Sequence, residues 1–246
     1  MLSAFLNCFK IPDLKKKILF TLALIVVYRI GCFLPTPGVN GAVLTEWFRK
    51  AGTTIFGIMS LFSGGAIEKM TVFALGVMPY ISSSIIMQLL TAVFPALEKL
   101  AKEGHAGYMK INQYTRYGTL LLAVVQSYFI ALWLESPQAF QGLKVVNEPG
   151  GRFRFETVVT LTTGTLLLMW LGEQIQERGI GNGMSILITA GIISATPEAI
   201  RNLILLLSPK TAAARQIQPL TLVMMICFLV GVILAVTLIT QAQRKI

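Results

Sequence analysis

Apolar runs of close to twenty residues recur along the chain, separated by short polar stretches, and six of them predict membrane-spanning helices. The first covers 18–34 and is interrupted by Arg29 near its outer end. The second, 70–94, reads "MTVFALGVMPYISSSIIMQLLTAVF" and holds Pro79 inside it. The third and fourth cover 117–134 and 157–172. The fifth starts near Met184 and reaches Leu207, with Pro197 as a candidate kink, and the sixth, 220–240, is the cleanest apolar run of all.

One stretch fits neither span nor loop. "FGIMSLFSGGAIEKM", residues 56–70, is apolar through Phe62, breaks at Gly64 and Gly65, and then places Glu68 beside Lys69. Crossing a bilayer takes about 20 apolar residues. Seven or eight residues of helix, at about 1.5 Å each, reach barely a third of the way. The pattern predicts a half-helix that enters without crossing.

Composition agrees with the pattern. Of 246 residues, 54% are hydrophobic and 13% charged, against about 25% charged in soluble domains. The net charge of +10 is carried by bases in twos and threes across short segments, without the tract or aromatic-interleaved face of a nucleic-acid binder. Cations flanking spans and facing anionic lipid headgroups account for it. With the N-terminus inside, eleven lysines and arginines fall on the inner side and eight on the outer, so both ends are expected in the cytoplasm. The segment "PTPG" after the first span lacks a small-residue cleavage pattern, so that helix is expected to stay as an anchor.

Candidate chemistry is sparse. Cys8, Cys32 and Cys227 show no paired spacing, and His105, the single histidine, reads as a solvated loop residue. No P-loop, HExxH or paired-carboxylate site is present. "GEQIQERGIGNG", 172–183, alternates Gly179, Gly181 and Gly183, but it joins two membrane segments rather than a strand and a helix, and so reads as a turn. Residues 135–156 form a long outer excursion with room for a short hairpin. Within the second span Ser84, Gln88 and Thr91 share one helical face, and Ile81 and Ile85 form a neighbouring apolar pair. Ile188 and Ile192 repeat that spacing in the fifth span, followed by Ser194 and Thr196.

Spacing alone favours helix packing for these polar and branched residues. Three function classes remain open. A secondary transporter, with a midplane site at proline-broken helices, usually needs intramembrane charges to couple ions, and the spans hold almost no carboxylates. A membrane enzyme needs a catalytic constellation. A channel gated by apolar side chains needs neither.

Four stretches taken together carry a resemblance: "YRIGCFLPTPGVN" (28–40), "LFSGGAIEKMTVFALGVMPYISSSIIMQLL" (61–90), "KINQYTRYGTLLLA" (110–123) and "MWLGEQIQERGIGNGMSILI" (169–188). In order and over nearly the whole chain, these resemble the bacterial SecY family, central subunits of the Sec protein-conducting channel. The outer loops 135–156 and 197–219 are the least distinctive parts.

The resemblance implies an all-α membrane protein, part of a ten-helix bundle in two inverted halves around an hourglass pore with a lateral gate. Residues 1–207 would be the N-terminal half, and 208–246 an outer loop and the sixth helix. Ile81, Ile85, Ile188 and Ile192 match members of an aliphatic pore ring. Residues 56–70 match the plug that stoppers the closed pore, with Ile58, Met59, Leu61, Phe62, Ser63, Gly64 and Gly65 at its centre. The second span borders the lateral gate in the family, which gives the face of Ser84, Gln88 and Thr91 a second reading as a gate face. The partners implied are SecE-type and SecG-type small membrane subunits, the SecA motor ATPase, a translating ribosome, and signal sequences with the unfolded secretory or membrane proteins that carry them. No enzyme activity and no cofactor are expected. The family continues past the sixth helix into a basic cytoplasmic loop and four more spans, so this chain is expected to be part of something longer.

Overall fold

The computed structural model describes residues 12–51, 63–138, 140, 142–207 and 219–241. Among them lie eight helices and isolated β-bridges but no β-strand. In chain order the helices are α1 Pro12–Gly31, α2 Gly41–Ala51, α3 Met78–Val93, α4 Pro95–Lys102, α5 His105–Glu135, α6 Gly151–Arg178, α7 Gly183–Leu207 and α8 Pro219–Gln241. The chain divides into two compact units, Met1–Ala195 and Thr196–Ile246, the boundary falling within the residues of α7, and α8 belongs to the second.

All six predicted spans coincide with helices, but their boundaries differ for physical reasons. The second span begins at Met78, not at residue 70, because Pro79 sits at the helix start, where its missing N–H costs nothing. Pro79 therefore opens the helix rather than interrupting it. Residues 63–77 instead form a chain of buried turns tied to the end of α1. In it Val72 N–H donates to Leu34 O (2.9 Å), and Thr36 N–H donates to Met70 O (2.9 Å). At Phe94 the chain bends by 99° from α3 into α4.

α5 and α6 extend well beyond the apolar runs because charges that hydropathy assigns to loops are paired. Arg116 Nε lies 2.7 Å from Glu173 Oε1. Arg154 Nε lies 2.7 Å from Glu135 Oε2, while Glu135 Oε1 accepts from Gly150 N–H at 2.9 Å. His105 is exposed, but it starts α5 instead of sitting in a loop. α1 runs from Pro12 rather than from residue 18, taking in Lys15, Lys16 and Lys17. Among the described residues four helices are long and apolar enough to cross a membrane, or five if the bent pair α3 and α4 is one span. α1, with those lysines and Arg29 in its 20 residues, is not among them.

Residues 135–156, the expected outer excursion, hold no hairpin among those described. Its strand-like pairing is with a distant segment: Val39 bridges Val146, Asn40 N–H donates to Val145 O (2.8 Å), and Asn147 N–H donates to Gly38 O (3.1 Å). Beneath this tie Phe140 is fully buried against Trp47 and Trp133, with ring centroids 5.0 and 4.7 Å away.

α5 packs against both α3 and α6, and α6 also packs on α1. Ser83 fastens the first of these contacts, its hydroxyl donating to Thr115 O at 2.8 Å in a buried setting. Between α6 and α7 lies the glycine-rich turn. Gly179 closes α6 through its N–H to Ile175 O at 2.8 Å, and Gly181 takes φ +72°. Asn182 Oδ1 accepts from the Met184 and Ser185 N–H groups (3.1 and 3.3 Å), which caps α7. Asn182→Ala is expected to lower stability by about 1 kcal/mol, read as a lower unfolding temperature of the purified complex in detergent.

Candidate pore and plug site

Two residues of the expected pore ring meet at one buried cluster. Ile81 on α3 and Ile188 on α7, 107 positions apart in sequence, both pack half-buried against a core that includes Tyr28, Ala66, Phe73, Val77, Leu168, Ile175 and Leu187. One turn further along each helix, Ile85 and Ile192 are 51% and 44% exposed. Each helix thus presents an isoleucine seated on the core and, four residues on, an isoleucine open to its surroundings. Branched aliphatic groups of this kind offer no hydrogen bond and no charge to whatever lies beside them.

Of the expected plug, Ile58, Met59, Leu61 and Phe62 lie outside the described residues. Ser63, Gly64 and Gly65 are described, and the first two lie against α1 and α7. Ser63 is 4% exposed, and its carbonyl accepts from the Tyr28 hydroxyl at 3.5 Å. Gly64, at φ +64°, accepts through its carbonyl from Arg29 Nη1 at 3.2 Å. A Cβ on Gly64 would lie 3.1 Å from Gly191 Cα and 3.2 Å from Ser194 Oγ, so the backbone approaches α7 as closely as a glycine permits. Gly65, at φ +83°, has open space where a Cβ would stand. Behind the turns α6 presses in, and a Cβ on Gly164 would lie 2.0 Å from Val72 O.

The polar face of α3 bonds along its own helix. Gln88 Nε2 donates to Ser84 Oγ at 3.3 Å, and Thr91 Oγ1 donates to Gln88 O at 2.7 Å. Ser84 and Thr91 are half-buried and Gln88 is exposed. Ser83, by contrast, is buried and crosses to α5.

Residues 71–246 match the SecY family model. The chain belongs to the SecY family. It is 47% identical over 234 residues to the protein translocase subunit SecY of Escherichia coli K12, covering 95% of this chain and 51% of that one. The SecY subunit of Buchnera aphidicola is also 47% identical over 234 residues, covering 95% of this chain and 64% of its own length. That of Aquifex aeolicus is 42% identical over 239 residues, covering 97% and 54%. The chain therefore spans about half to two thirds of the length of the curated relatives it matches. Two solved structures share the fold at 18% identity and a TM-score of 0.52, covering 74% of this chain and 37% of theirs. One is a protein-conducting channel, the other Sec61 in a canine ribosome-channel complex from the endoplasmic reticulum.

One residue at this candidate site stands out only in three dimensions. Arg29 registers in the sequence only as an interruption of the first span, yet it reaches both Gly64 and Ser194, the latter at 2.9 Å. The signal was available: a lone cation inside an apolar run marks a functional position more often than a packing one.

Proposed function

We propose that this chain is the N-terminal part of the central, pore-forming subunit of a Sec translocon. In this reading the complete subunit passes unfolded polypeptides across the cytoplasmic membrane and releases membrane segments sideways into lipid. Residues 1–207 supply one half of the clamp, with the plug at about 56–70, and residues 208–246 begin the other. Both ends of the chain face the cytoplasm. The channel itself catalyses no reaction; SecA or a translating ribosome drives transport, and SecE-type and SecG-type subunits brace the channel. Ser84, Gln88 and Thr91 form the gate face, where hydrogen bonds closed within α3 let that helix part from a neighbour without stranding a partner.

The observation that carries this reading is the pairing of Ile81 and Ile188 on one core cluster, each with an exposed isoleucine a turn away. Those four residues are the chain's share of the ring. Photo-crosslinkers placed at positions 81 and 188 of the complete channel are expected to capture a stalled, translocating polypeptide, while one at exposed Tyr117 on α5 is not. Equal capture at all three, or none at 81 and 188, would overturn the assignment.

A further inference from the structure

We infer that Arg29 is a latch holding the middle of the plug, Ser63 and Gly64, onto α1 and α7 in the closed channel. The inference rests on the plug reading given above and adds the device that keeps the plug seated.

Arg29 lies in the last turn of α1, within an apolar run, where a guanidinium is costly unless its donors are met. One nitrogen, Nη1, meets two acceptors at once: Gly64 O at 3.2 Å and Ser194 Oγ at 2.9 Å. The positive face lies 5.0 Å above the Phe33 ring, an attraction that strengthens away from water. These partners are neutral, and the Phe33 ring is shared with Lys69, whose Nζ lies 5.1 Å from its centroid. Among the described residues no carboxylate lies within ion-pair distance of Arg29. Ser194 is itself fixed, donating to Gly191 O at 2.7 Å, and Gly191 is the residue against which Gly64 packs. A single cation thus bridges residues from α1, the plug segment and α7, which are far apart in sequence.

This chemistry suits a contact made to be broken. A charge-assisted hydrogen bond to a carbonyl is about twice as strong as a neutral one, yet weaker than a buried ion pair. When the plug leaves, Gly64 O departs, while Ser194 and Phe33 stay to satisfy the cation. The charge is never stranded, so opening breaks one strong bond rather than exposing a bare guanidinium to apolar surroundings. The adjoining Tyr28 bond to Ser63 O, at 3.5 Å, is long and adds little. Removing Arg29 therefore shifts the balance toward the displaced plug, and removing Ser194 does so less, because the bond to Gly64 survives.

The test uses the complete channel in its natural complex, reconstituted in lipid vesicles. Ser63→Cys is buried in the parent, and its reaction with a water-soluble maleimide is read by mass spectrometry at each cysteine. Adding Arg29→Leu is expected to speed labelling at position 63 about tenfold or more, and Ser194→Ala by a smaller factor, a tenfold change being the effect of losing one charged hydrogen bond. A second probe, Thr36→Cys, starts from a position only 2% exposed and is expected to stay protected in both variants. Unchanged labelling at 63 in Arg29→Leu overturns the latch. So does equal loosening at 36 and 63, since Arg29 would then support the fold at large. Deletion of 58–66 separates the two levels of the argument. If it leaves ion leak and signal-sequence stringency unchanged, the plug reading falls, whatever the labelling at position 63 says about Arg29.

Discussion

Glycine at both 81 and 188 is expected to raise the ion leak of the assembled, idle channel on the order of tenfold or more, because an apolar constriction excludes ions only while it is too narrow to stay wet. Each substitution removes a whole branched side chain, so the waist widens from two helices at once. The effect should exceed the sum of the single changes, since one remaining isoleucine can lean into the space left by the other. Planar-bilayer conductance without substrate is the measurement. Ile81→Val with Ile188→Leu, which keeps the bulk apolar, should leave the leak near the parent value. Both isoleucines also rest half-buried on the core cluster, so the yield of intact complex must be followed in parallel. An unchanged leak in a fully assembled double-glycine channel would remove these residues from the ring.

Gly164→Val should be strongly damaging to folding. A Cβ there would sit 2.0 Å from Val72 O and 2.9 Å from Val72 C, and neither backbone atom can swing away as a flexible side-chain tip would. The turns from Ser63 to Val77 would have to shift together with the backbone bonds that tie Val72 to Leu34 and Thr36 to Met70. Overpacking of this kind costs about 1–3 kcal/mol where side chains can adjust, and more where backbone must move. We expect little full-length protein to accumulate, and what does accumulate should unfold at a lower temperature in detergent. Gly65→Ala meets open space, so it carries only the strain of its φ of +83° and should be far milder. If Gly164→Val accumulates and melts like the parent, α6 does not press on the turns as described.

The helical spans, the turn between α6 and α7, and the apolar pairs Ile81–Ile85 and Ile188–Ile192 were legible because each depends on local periodicity. The family was legible from four stretches of ordered residues. What the pattern hid was non-local. Apolar residues 70–77 look helical in a window, yet they fill the core as turns, and nothing near them in sequence announces Leu34 and Thr36 as their partners. Arg154 and Arg116 look like loop markers until Glu135 and Glu173 are placed beside them. Arg29 looks like a blemish until Ser194, 165 residues later, supplies its hydroxyl. Hydropathy weighs each residue singly, so it cannot credit a charge whose partner is remote.

The tie between residues 38–40 and 145–147 has a consequence for the order of events during synthesis. At about 5–20 residues per second, the 105 residues between Asn40 and Val145 take roughly 5–21 s to make. Throughout that interval the chain leaving α1 holds an amide at Asn40 whose eventual acceptor has not been translated, and Trp47 waits for the Phe140 ring it will cover. The segment after α1 must therefore wait with this pairing unmade while α3, α4 and α5 are synthesised. The tie can close only once residues 145–147, just before α6, have been made, so the segment after α1 takes its final place late in synthesis.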